Sequence, residues 1–152
     1  MEETKRRRFI IRAVLEGEVD VQEAPQPGGS DMNHWTDGVA YTDLDIVENE
    51  YVKSNNGRFA PYNGWSRTGF VYCEGASTIT FPACNDGSGG SSVINENGWY
   101  STNDVSGYIS KMSLGKWNEQ TVTVPENAKY FVISCTDQGL ADCIAAGIVP
   151  HA

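Results

Sequence analysis

The chain has 152 residues, a length that fits one domain with a sizeable core and a short appendage. Its formal net charge of -9 sets it against nucleic acid phosphates as a partner. No apolar run approaches the ~20 residues of a membrane span, so neither nucleic acid nor membrane is an expected partner.

The charge is unevenly spread. Residues 1–12 hold five of the 11 basic side chains (Lys5, Arg6, Arg7, Arg8 and Arg12) and two of the 20 acidic ones, Glu2 and Glu3. Residues 1–8 read as a basic arm. Phe9 to Val21 then alternates, with Phe9, Ile11, Ala13 and Leu15 on one side, as in a strand pair or one long extended arm. Phe9 to Leu15 is too short for a secretory signal and is interrupted by Arg12. A protein kept in a cytosol is therefore expected. Its four cysteines, Cys73, Cys84, Cys135 and Cys143, are then expected to be reduced, buried small hydrophobes. Their spacing contains no CxxC and fits no zinc pattern.

Glu23 to Ser30, EAPQPGGS, reads as a linker. It divides an extended arm and linker, 1–30, from a compact domain, 31–152. Such an arm ahead of a compact domain suggests attachment to something larger. In the domain, Val39–Tyr41 and Leu44–Val47 are short strand candidates. Tyr51-Val52 leads into the turn Ser54-Asn55-Asn56-Gly57. Phe70–Cys73 and Thr78–Phe81 read as strands joined at Glu74-Gly75. Asn85–Ser92 is a polar glycine-rich loop, Val93-Ile94 a strand end, and Trp99-Tyr100 a central strand. Tyr108-Ile109 precedes a loop carrying Met112, Leu114 and Trp117. Asp142–Val149 reads as either a last strand or a short turn of helix.

Thr121–Cys135, TVTVPENAKYFVISC, reads as strand, turn and strand. Val122 and Val124 alternate with threonines, and Pro125 and Asn127 supply turn chemistry. Tyr130 and Val132 face one side of the second strand, and Phe131, Ile133 and Cys135 the other. A strand apolar on both faces belongs inside a two-layer β structure. Turn signals every 8–12 residues fit an all-β sandwich or jelly roll rather than βαβ units.

Catalytic text is lacking. His34 and His151 sit in no recognisable catalytic context, and neither GxSxG, a P-loop nor HExxH occurs. Asp43 with Asp45, and Glu48 with Glu50, are i,i+2 pairs that would share a face of an extended segment. They keep open a structural calcium but read first as an acidic solvent face. Asp86 in its glycine-rich loop is a weaker version of the same idea. No other cofactor and no metal site is expected. Aromatic side chains are the better lead, because the apolar C–H faces of sugars stack on Trp and Tyr. Trp35, Tyr62 and Trp117 lie in polar, loop-like contexts and are the candidate glycan contacts. Trp65 reads as core. Of the adjacent Trp99 and Tyr100, one is expected to point inward. The plainer reading of any of these rings is a cap on the core at a sandwich end.

A family resemblance rests on an ordered set of motifs: Asn55-Asn56-Gly57, Gly64-Trp65-Ser66-Arg67-Thr68-Gly69-Phe70-Val71, Thr78-Ile79-Thr80-Phe81, Trp99-Tyr100-Ser101 and Tyr108-Ile109-Ser110. It ends on Val124-Pro125-Glu126-Asn127-Ala128-Lys129-Tyr130. Together these cover roughly residues 46–136. They resemble a β-sandwich module, a galactose-binding-like jelly roll, of phage tail and head appendages and gut bacterial surface proteins. The chain departs from that pattern at Gly69 and Ser101. The resemblance implies a jelly-roll β-sandwich with an extended N-terminal arm. It implies a non-enzymatic virion structural protein of a tailed phage, assembled in the host cytoplasm. The arm, with Lys5, Arg6, Arg7, Arg8, Phe9 and Arg12, would dock on other virion proteins, and the module would face host glycans. A homo-oligomer, with a trimer favoured, is the expected assembly. The rival reading is a carbohydrate-binding module of a bacterial surface or secreted protein. A small hydrolase would need an acid–base constellation that the sequence does not supply.

Overall fold

A computed structural model describes residues 34–83, 96–114 and 119–152. The expected N-terminal arm and linker, the loop Asn85–Ser92 with Asp86, Val93-Ile94, Cys84 and Trp117 lie outside the described residues. Within them the chain forms strands β1 (Ile46–Val52), β2 (Phe59–Thr68), β3 (Val71–Tyr72), β4 (Thr78–Phe81) and β5 (Glu96–Tyr100). A 3-10 turn at Val105–Gly107 leads to β6 (Tyr108–Lys111), followed by β7 (Gln120–Thr123), β8 (Tyr130–Thr136), helix α1 (Asp137–Ala146) and β9 (Val149–His151). The architecture is all-β with one short helix.

Every pairing among the described strands is antiparallel. The larger sheet runs β1-β2-β8-β5-β6, with β3 also on β8, and the smaller runs β9-β4-β7. The chain crosses between sheets at β3–β4, β4–β5, β6–β7, β7–β8 and β8–β9. The two strands read from Thr121–Cys135 therefore belong to different sheets. Asn127, at φ 73°, and the Ala128 N–H bonded to the Pro125 carbonyl at 3.1 Å form the turn that carries the chain across.

β8 is the two-faced strand that its composition predicts. Phe131, Ile133 and Cys135 join Trp99, Val71, Ile79, Phe81, Leu140 and Cys143 in a core shared by both sheets and α1. Val132 lies on the opposite face with Val52, Phe70 and Tyr100, against Phe59, Tyr108 and Tyr130. Trp99 and Tyr100 are both buried, at 3% and 0% exposure, one in each cluster. The expectation that one of the pair points inward understates the case, because the larger sheet is covered on both faces. Cys73, Cys135 and Cys143 are buried in the core.

One further segment differs from the sequence reading, and an open choice is decided. Val39–Tyr41 forms no strand; instead the Gly38 and Tyr41 N–H groups donate to the carbonyls of Pro150 and Ile148, both at 2.9 Å, beside β9. The choice left open at Asp142–Val149 resolves into the end of a helix followed by a strand. Thr136 caps α1 by accepting from the Gly139 N–H at 3.2 Å, and Gly147 at φ 106° closes it. Phe59–Thr68, which carries Pro61, Asn63 and Gly64, is the longest described strand. Its Pro and Gly are accommodated because it pairs with an edge strand at a register break.

Buried polar groups within the larger sheet are matched by side chains where the backbone ladder is interrupted. Between β2 and β3 the register against β8 shifts by one residue, from Arg67 opposite Ser134 to Val71 opposite Phe131. There the Thr68 hydroxyl accepts the Ile133 N–H at 3.2 Å, and the Ser134 hydroxyl accepts the Val52 N–H at 3.0 Å. No described helix is long and apolar enough to cross a membrane.

Candidate functional site: an aromatic groove on the larger sheet

The groove originates in a mismatch between β1 and β2. Glu48 pairs with Ser66, but Glu50 pairs with Pro61. One residue of β1, Asn49, is thus set against Tyr62–Trp65 of β2. Two backbones absorb the excess with left-handed conformations, Asn49 at φ 63° and Gly64 at φ 91°. Asn is among the few side-chain-bearing residues that tolerate this region, and Gly has no Cβ to obstruct it. Pro61 to Gly64 stand exposed, and Tyr62 has 53% of its surface open.

The extra length brings three rings together. Tyr51 and Tyr62 have centroids 5.5 Å apart, Tyr62 and Trp65 5.7 Å, and Tyr51 and Trp65 6.1 Å. Their planes meet at 58°, 66° and 76°, so each ring is steeply inclined to the other two. With Glu96, the first residue of β5, they line an open groove of about 320 Å³. One Glu96 carboxylate oxygen, Oε1, accepts from the Ser54 hydroxyl at 2.9 Å and faces the Ser54 N–H at 3.4 Å. No hydrogen bond is made by Oε2 among the described residues.

Arg67 supports the groove from the same strand as Tyr62 and Trp65. Its Nε donates to Glu50 at 2.8 Å and its Nη1 to the Thr68 carbonyl at 3.0 Å, and its guanidinium lies 3.7 Å from the Phe59 ring centroid. With 8% of its surface exposed, Arg67 is an internal ion-pair partner. Farther along the sheet, Tyr100 donates to the Gly57 carbonyl at 2.7 Å, and burial pushes its phenol above the ordinary tyrosine range.

The three candidate glycan contacts fall in different places. Tyr62 is in the groove. Trp35 packs against the shared core and donates its indole N–H to the Glu74 carbonyl at 2.7 Å. Trp117 lies outside the described residues. Trp65, expected in the core, is instead a half-buried wall of the groove. The sequence singles out neither Tyr51 nor Glu96 as a site residue. The step between Glu48 and Glu50 also breaks the simple alternation that would put those carboxylates on one face, and Glu50 is engaged by Arg67. Among the described residues no three His, Cys, Asp or Glu side chains gather as a metal site. His34 contacts the Thr36 hydroxyl at 3.2 Å, and His151 contacts that of Thr80 at 3.0 Å.

No family model, curated protein or solved structure matches the chain at a significant level.

Proposed function

We propose that this chain is a non-enzymatic structural protein of a tailed-phage particle, a head or tail appendage or decoration protein. Its basic N-terminal arm docks on other virion proteins, and its body is a jelly-roll module that binds host glycans. The observation that carries the binding role is the Tyr51–Tyr62–Trp65 groove with the Glu96 carboxylate at its side. Inclined aromatic faces offer flat apolar surface to sugar C–H groups, and a carboxylate accepts hydrogen bonds from hydroxyls. The jelly-roll reading is supported by two antiparallel sheets joined by repeated crossings. The virion setting, the arm's role and a homotrimeric assembly are supported by the motif resemblance and the concentrated basic charge of residues 1–12. A carbohydrate-binding module of a bacterial surface or secreted protein would use the same groove in another setting.

Two experiments separate the parts. Calorimetric titration of the full chain with bacterial-surface oligosaccharides is expected to give millimolar-to-micromolar binding that Tyr62→Ala abolishes. Silence at millimolar ligand overturns the glycan role. A reconstruction of the phage particle is expected to contain this chain with its N-terminal arm against a shell or tail protein. A monomer whose arm contacts nothing overturns the virion role.

A further inference from the structure

Resting on the glycan reading, we infer that the groove selects sugars carrying a free amino group, with the ammonium seated between the aromatic walls and Glu96. Four observations converge. Three rings, mutually inclined at 58–76°, line the groove, and the face of an aromatic ring is negative at its centre. A carboxylate stands beside them with one oxygen held by Ser54 and the other making no hydrogen bond among the described residues. Among the described residues, those that line the groove, Tyr51, Tyr62, Trp65 and Glu96, include no basic side chain. The nearest cation on the groove's own strand, Arg67, is turned to Glu50 and to the Thr68 carbonyl.

These features rank ligands by charge. A neutral hexose gains ring stacking and hydrogen bonds to Glu96. An uronic acid brings a second carboxylate against Glu96 and the rings, with no basic side chain among the described lining residues to neutralise it. An ammonium group gains from both, through attraction to the ring quadrupoles and a charge-assisted hydrogen bond to the carboxylate. A lysine side chain carries the same ammonium but lacks the sugar ring that would stack on the exposed Tyr62 side chain. The amino sugar uses the whole groove and is the occupant the geometry favours.

The test compares four probes on the full chain by calorimetry: glucosamine oligomers, N-acetylglucosamine oligomers, galacturonate oligomers and an oligolysine peptide. Glucosamine oligomers are expected to bind about tenfold more tightly than the N-acetylated form, the effect of one charge-assisted hydrogen bond. Galacturonate oligomers are expected to bind least. Glu96→Gln is expected to erase the preference, bringing the affinities for the two glucosamine forms within about twofold of each other, and Trp65→Ala to abolish both. Thermal melting of each variant reports whether it remains folded. Equal affinity for the two glucosamine forms, or a preference surviving in Glu96→Gln, overturns the amino-sugar inference and leaves glycan binding intact. Binding to no oligosaccharide overturns both readings. Oligolysine binding as tight as glucosamine oligomers shows that the groove recognises protein ammonium groups and also overturns the inference.

Discussion

Asn49 and Gly64 sit on opposite strands of a single register break, and both hold positive φ, 63° and 91°. The aromatic groove depends on this pair. An ideal Cβ at Gly64 meets no atom within 4 Å, so the only obstacle to a side chain there is the backbone itself. Gly64→Ala is expected to cost about 1 kcal/mol of stability and to shift the Tyr62–Trp65 segment. Loss of oligosaccharide binding at temperatures where the protein remains folded checks the second effect. Asn49→Gly, which suits the same φ, is expected to preserve both stability and binding.

Gly57 provides the contrast. It also has a positive φ, 75°, but a Cβ there would fall 2.2 Å from the Tyr108 ring. Gly57→Ala therefore combines backbone strain with overlap against a side chain packed on Tyr100. A loss above about 3 kcal/mol is expected, well beyond that of Gly64→Ala. Chemical denaturation of the two variants in parallel measures the difference.

Arg67 and Glu50 form an unequal pair. The arginine side chain is 9% exposed and the glutamate 37%. Removing the buried member by Arg67→Ala takes away the Thr68 and Phe59 contacts as well, and about 3 kcal/mol is expected. Glu50→Gln keeps an acceptor near the guanidinium and is expected to cost about 1 kcal/mol. Equal losses in urea melts would contradict this asymmetry.

Cys73 sets an alkaline limit. Burial pushes its thiol from 9.0 up to about 12, with the Glu74 carboxylate adding to the shift. The folded state thus holds this proton where the unfolded chain releases it. The stability contributed is fully present below about pH 9 and is lost as pH rises toward about 12. Denaturation midpoints are expected to fall across that window, and less steeply in Cys73→Ala. The native thiol is also expected to resist alkylation at neutral pH until the protein unfolds.

The sequence made β8 readable because Tyr130–Thr136 carries its own signal, apolar residues at consecutive positions that only a strand covered on both faces can bury. The turn at Ser54–Gly57 was equally local, since Gly57 needs a backbone that other residues avoid. Tyr62 could be singled out as an exposed aromatic beside Pro61. Its partners could not. Trp65 lies in the Gly64–Val71 motif, which leaves its exposure undefined, and its half-buried position is created by the pairing of Glu50 with Pro61. Glu96 and Ser54 are 42 positions apart and meet only because β5 lies two strands from β2 in the finished sheet. Helix α1 was ambiguous for a similar reason. Asp137–Ala146 mixes small and polar residues, and burial of Leu140 and Cys143 against β8 decides its conformation.

The most direct test of the proposed glycan site is chemical-shift mapping of the full chain during titration with glucosamine oligomers, with the Trp65 indole resonance assigned by Trp65→Phe. Progressive, saturable shifts of that indole and of the backbone amides at Tyr62–Trp65 are predicted, while the Trp35 and Trp99 indoles stay in place. An unmoved Trp65 indole at millimolar ligand, or shifts centred on Trp35, would contradict the assignment of the groove.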